Sequence, residues 1–110
     1  MFPLARLLKI FWKEEHAMVV CVLTVRLHAP WVHSLKEKWM ELKSLLTRLR
    51  NTFNVSVAEV DEQDTHTVMV IGVAALAADA AQADSMQEHM LHFIETHTQA
   101  EVIAVERERR

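Results

Sequence analysis

The feature that most constrains this chain is a hydrophobic period that switches back and forth along its length. Over residues 18–28 apolar side chains recur at every second position. Val19, Cys21, Leu23, Val25 and Leu27 form one face of a strand, and Thr24, Arg26 and His28 share the other with Val20 and Val22. Pro30 lacks an N–H and stops the strand. At Ser34 the period lengthens. Ser34 and Glu37 have the spacing of a capping box, in which the hydroxyl accepts from the Glu37 amide and the Glu37 carboxylate reaches back. Leu35, Trp39, Leu42, Leu46, Leu49 and Phe53 then recur four and three apart, which predicts a helix with one apolar stripe. It should run to about Asn51, with Asn51 and Asn54 suiting the exit turn.

Period two returns over residues 53–60. Phe53, Val55 and Val57 lie on one side before the alternation slips to Ala58 and Val60, which predicts a bulge near residues 57–59. A polar turn at 61–64 leads into a third strand over 65–76. Met69, Ile71 and Val73 take one face, Val68 and Val70 the other, and Gly72 marks a close approach of backbone. Asp79 and Gln82 cap a second helix lined by Ala83, Met86, Met90, Phe93 and Ile94. Residues 101–108, with Val102, Ile103 and Val105, read as a last strand, and residues 107–110 as a frayed charged tail.

The order strand, helix, strand, strand, helix, strand predicts an α+β ferredoxin-like βαββαβ fold: a four-stranded antiparallel sheet with two helices on one face. A chain of 110 residues has room for one domain. That domain is expected to span 18–110, with neither repeat nor linker inside it. Residues 1–17 stand apart. Leu4, Leu7, Leu8, Phe11 and Trp12 have helical spacing and Arg6, Lys9 and Lys13 lie between them. This amphipathic segment reads as an extension ahead of an alternative start at Met18, in preference to a membrane-surface helix.

Composition removes several function classes. An apolar share of 51% with a net charge of −3 excludes a disordered chain. The lone Cys21 excludes a disulfide scaffold and reads as a small buried residue in a reducing, cytoplasmic compartment. No apolar run is long enough to cross a bilayer. With one glycine in the chain, phosphate-cradling glycine loops are excluded.

The residues resemble a known group. His33-Ser34-Leu35-Lys36-Glu37-Lys38, Lys43-Ser44-Leu45-Leu46, Arg48-Leu49-Arg50-Asn51 and the run from Phe53 to Asp61 with Gln63-Asp64 are similar to the bacterial YlxP-like family, small domains with no assigned reaction. The resemblance covers residues 18–108 and leaves 1–17 outside. It implies the same ferredoxin-like fold. Genes of such proteins often neighbour translation and ribosome-assembly genes, including that of ribosome-binding factor A, so the resemblance suggests a link to RNA or the ribosome. The chain departs from the family pattern at Trp39, where Arg is usual, at His66, often Trp, at Val68, often basic, and at Ala77-Ala78, a Ser-Asn-like pair. The first and third departures each remove a cation.

Among the residues themselves, the basic helix is the leading functional candidate. Lys36, Lys38, Lys43, Arg48 and Arg50 outnumber Glu37 and Glu41, and Lys36, Lys43 and Arg50 fall seven apart on one stripe. Such a stripe can follow phosphates, so these five residues are the candidate RNA-binding set and RNA or a ribosomal particle the candidate partner. Part of the charge is expected to pair internally with Glu37 and Glu41. Trp31 and Trp39 are the aromatic candidates for base stacking.

Helices on one face leave the other face of the sheet open. Val20, Val22, Val68 and Val70 are the candidate interface of a homodimer, as apolar residues on an open sheet usually mark an interface. The acidic residues Glu59, Asp61, Glu62 and Asp64 lack the glycine and spacing of a calcium loop and read as a solvated turn. Glu88, His89, His92 and His97 do not have zinc-module spacing, so no metal is expected. No nucleophile elbow or split carboxylate pair is present, so neither catalytic residues nor a cofactor or small-molecule substrate are expected.

Overall fold

A computed structural model describes residues 18–110; the expectations for residues 1–17 lie outside the described residues. The order is β1 (Val19–His28), α1 (Leu35–Thr52), β2 (Ser56–Asp61), β3 (Val68–Ala77), α2 (Ala80–His97) and β4 (Glu101–Arg109). The strands form one sheet in the order β2-β3-β1-β4, and every neighbouring pair is antiparallel. This is the ferredoxin-like arrangement. Each helix carries the chain past one strand: β3 lies between β1 and β2, and β1 lies between β3 and β4.

Alternation decides which side of the sheet meets the helices. Cys21, Leu23, Val25 and Leu27 of β1 and Met69, Ile71, Val73 and Ala75 of β3 are buried together with Leu42, Leu45, Leu46 and Leu49 of α1 and Ala83, Met90 and Ile94 of α2. Cys21 is a free thiol inside this core. Register holds the two central strands in phase, with Leu23 opposite Val73 and Val25 opposite Ile71.

Both helices begin as their sequences dictate. Ser34 Oγ accepts from the Glu37 amide at 3.1 Å, and Asp79 Oδ1 accepts from the Gln82 amide at 2.8 Å. The return arm of each cap lands one residue further out than a capping box requires. The Glu37 carboxylate accepts from the His33 amide and the Gln82 carbonyl oxygen from the Ala78 amide.

Four local expectations are corrected. Phe53 belongs to the end of α1, where its amide closes on the Leu49 carbonyl, and β2 starts at Ser56. The irregularity in β2 falls between Glu59 and Asp61, slightly beyond the expected 57–59, and puts the Val60 side chain over Gly72. A Cβ on Gly72 would stand 2.7 Å from a Val60 methyl, so the glycine makes room for a side chain and not for backbone. Finally, the C-terminus does not fray. Arg110 and Val20 exchange both amide–carbonyl bonds at 2.8 Å, and Arg107 and Arg109 reach Glu88 and Asp84 on α2.

Candidate functional site

The buried side of α1 is not the stripe that apolar spacing predicts. Lys38, Leu42, Leu45, Leu46 and Leu49 face inward, whereas Leu35 and Trp39 are exposed. Lys38 precedes Leu42 by one helical turn, and Trp39, rotated by about 100° from it, points away. Lys38 keeps 2% of its surface and uses its ammonium three ways. It meets Glu59 Oε2 at 2.7 Å and donates to the carbonyls of Glu62 at 2.6 Å and Thr65 at 2.9 Å. An ammonium has three N–H donors, so none remains for a phosphate. Lys38 therefore leaves the candidate RNA-binding set and acts as a clamp between α1, β2 and the β2–β3 turn. Glu59 Oε2 is enclosed and has no other polar partner. The clamped turn contains Glu62 with φ 57°, a left-handed backbone held by its carbonyl's bonds to Lys38 and to the Thr65 amide.

The remaining cations sit differently. Lys36, Lys43, Arg48 and Arg50 are exposed, and among the described residues no carboxylate lies within ion-pairing distance of them. With 3.6 residues per turn, Lys36, Trp39, Met40, Lys43, Thr47 and Arg50 share an outward arc about 100° wide. Glu37 and Glu41 lie outside that arc, on the flank of Arg48, and Glu37 is engaged with the His33 amide. The expected internal pairing of the helix charge is thus absent from the outward face among the described residues. Trp39 is 56% exposed and Met40 64%. Arg50 is tethered by one Nη2 bond to the Val57 carbonyl at 3.3 Å, which leaves its other donors available.

The arc thus carries three cations with an exposed indole at its edge, on a helix whose opposite side is anchored in the core. Arg48, on the other flank, lines a polar hollow of about 390 Å³ with Trp31, Glu41 and His97. His97 is oriented there by stacking on Phe93 at 3.8 Å and by Nδ1, which donates to the Phe93 carbonyl at 2.9 Å.

A family model described as a protein of unknown function, DUF503, matches residues 20–107. The chain belongs to the DUF503 family. It is also 40% identical over 68 residues to the uncharacterized protein YlxP of Bacillus subtilis (strain 168), a match that covers 62% of this chain and 74% of that protein. The run that carries the resemblance includes Ser34, Lys38 and Glu59. In this DUF503 chain all three have structural work: one caps α1 and two form the buried clamp. At these three positions the motif serves the fold.

The open side of the DUF503 sheet also sorts the candidate valines. Val20, Val22 and Val68 are partly buried on that side. Val70 is 3% exposed, so it is not available as a dimer contact. Arg26 of β1 and Asp61 of β2 are the register partners of Val70 on either side, and their ion pair at 3.7 Å closes over it. Exposed apolar side chains of this surface include Val60 and Leu76, which were not among the candidate interface residues. The acidic residues diverge. Glu59 turns inward to Lys38, while Asp61 pairs with Arg26 and accepts from the Glu62 amide at 2.8 Å. Sequence reasoning also missed Gln87. This buried side chain donates from Nε2 to the carbonyls of Val22 and Glu108 at 3.1 Å each, joining α2 to β1 and β4. Its place between Ala83 and Met90 on the apolar line of α2 is the signal that could have found it. No described helix is long and apolar enough to cross a membrane.

Proposed function

We propose that this protein is a non-enzymatic cytoplasmic module that binds RNA, alone or within ribosomal particles, through the outward face of α1. The observation that carries this reading is the row Lys36, Lys43 and Arg50, exposed and without a carboxylate in its arc, on a chain whose net charge is −3. Among the described residues, attraction for a polyanion is local to this row, since the chain as a whole is net acidic. Affinity then comes from counterion release and falls with salt. The non-enzymatic part is supported by Cys21, which is sealed in the core, and by Ser34, whose hydroxyl oxygen accepts from the Glu37 amide as the cap of α1.

Reversing charge at all three positions, Lys36→Glu, Lys43→Glu and Arg50→Glu, should abolish co-sedimentation with ribosomal particles at low salt while the circular dichroism spectrum is kept. Unchanged sedimentation, or none in the wild type, contradicts the reading.

A second, compatible reading is favoured by the open sheet. Leu76, 63% exposed, stands opposite half-buried Val20 in the β1–β3 register, Val60 lies over Gly72 farther along the same face, and a homodimer would cover them. Val20→Asp with Leu76→Asp should then give a folded monomer. A wild-type protein that is already monomeric by light scattering at about 50 μM, well above the Kd of a stable dimer, rules this reading out.

A further inference from the structure

We infer that the outward face of α1 takes single-stranded RNA, with Trp39 stacked on an unpaired base between phosphates held by Lys36 and Lys43. The inference rests on the reading of α1 as an RNA surface and adds the strandedness of the ligand.

The position of Trp39 carries it. The core does not use this side chain, because Lys38 and the leucines fill the buried side of α1 and leave the indole more than half exposed. It lies in the same arc as the cations, three residues after Lys36 and four before Lys43. Cations alone would serve any nucleic acid, since duplex and single strand both offer phosphates. An aromatic face adds affinity only where a base face is free, and in a duplex base faces are covered by their neighbours in the stack. An indole set among lysines without carboxylates therefore discriminates toward an unpaired strand. A bilayer surface fits less well. A helix that lies on a membrane turns a continuous apolar face to the acyl chains, whereas the leucines of α1 are spent on the core and its exposed large apolar side chains are Leu35, Trp39 and Met40, with Lys36 and Lys43 among them.

The test compares a fluorescein-labelled 12-nucleotide oligouridylate with a 12-base-pair RNA duplex by anisotropy, using the full chain in low salt, and adds vesicles containing phosphatidylglycerol as a third arm. The expected result is tighter binding of the single strand. Trp39→Ala should weaken it about tenfold, the scale of one base–aromatic contact, and leave duplex affinity within twofold. Trp39→Phe should restore part of the loss, and Lys43→Glu should weaken both ligands. Trp39 is exposed, so an unchanged melting temperature verifies that the variants remain folded. Equal affinity for duplex and single strand, or an unaltered Trp39→Ala, overturns the inference while the phosphate reading stands. Binding to vesicles without binding to either RNA overturns both, as does wild-type protein that binds nothing.

Discussion

Replacing Lys38 with Met removes the ammonium and keeps most of the stem, so it isolates the clamp from packing. The wild-type ammonium makes two hydrogen bonds to carbonyls and one ion pair to Glu59. Each bond from a charged donor is worth about 1.5 kcal/mol, and a carboxylate left enclosed without its partner costs about 1–3 kcal/mol more. Water can reach the freed turn carbonyls, and Glu59 retains 18% of its side-chain exposure, which returns part of that sum. The expected destabilisation is therefore about 3 kcal/mol, at the lower edge of what breaking a buried ion pair costs. For a domain of this size that lowers the melting temperature by about 15 °C. Urea unfolding followed by circular dichroism reads the same loss as a drop in midpoint with the slope unchanged. The double variant Lys38→Met with Glu59→Leu should recover at least about 1 kcal/mol relative to Lys38→Met alone, because the orphaned carboxylate is gone. A single variant that costs less than about 0.5 kcal/mol, or a double variant whose effects simply add, refutes the clamp.

Two further substitutions test how the fold presents the site. Ser34→Ala removes the N-cap of α1 and should cost about 1 kcal/mol, read by thermal unfolding, without altering RNA affinity. Gln87→Leu preserves volume and deletes both bonds to the Val22 and Glu108 carbonyls. It should cost about 1–2 kcal/mol and speed amide hydrogen exchange in β4 more than in β3. Equal protection of β4 in the variant and the wild type would show that Gln87 does not hold that edge.

The architecture was legible because β1, β3 and both helices carry their own period. β1 alternates, α1 and α2 have caps and three-four spacing, and β3 alternates around Gly72. These are local signals, and the element order and sheet topology agree with them. The site was legible only in part, because its decisive contacts are not local. Three-four spacing fits both Leu35-Trp39-Leu42 and Lys38-Leu42-Leu45, and hydropathy favours the first. The second wins because Glu59 and the carbonyls of Glu62 and Thr65, more than twenty residues away, satisfy Lys38. Glu59 had left a trace: it stands two residues after buried Val57, on the inward parity of β2. A carboxylate on an inward face requires a partner, and a lysine one turn before Leu42 supplies it. Val70 shows the converse. Parity alone puts it on the open face, but a cross-strand ion pair covers it, and no periodicity records such a cover.

The central claim is that Lys36, Lys43 and Arg50 meet phosphates, and salt dependence measures this most directly. With three contacts to a single strand, the logarithm of the association constant should fall against the logarithm of salt concentration with a slope of about −2, from about −0.7 per contact. Lys43→Ala should bring the slope to about −1.4. A slope near zero, or one that Lys43→Ala leaves unchanged, would contradict it.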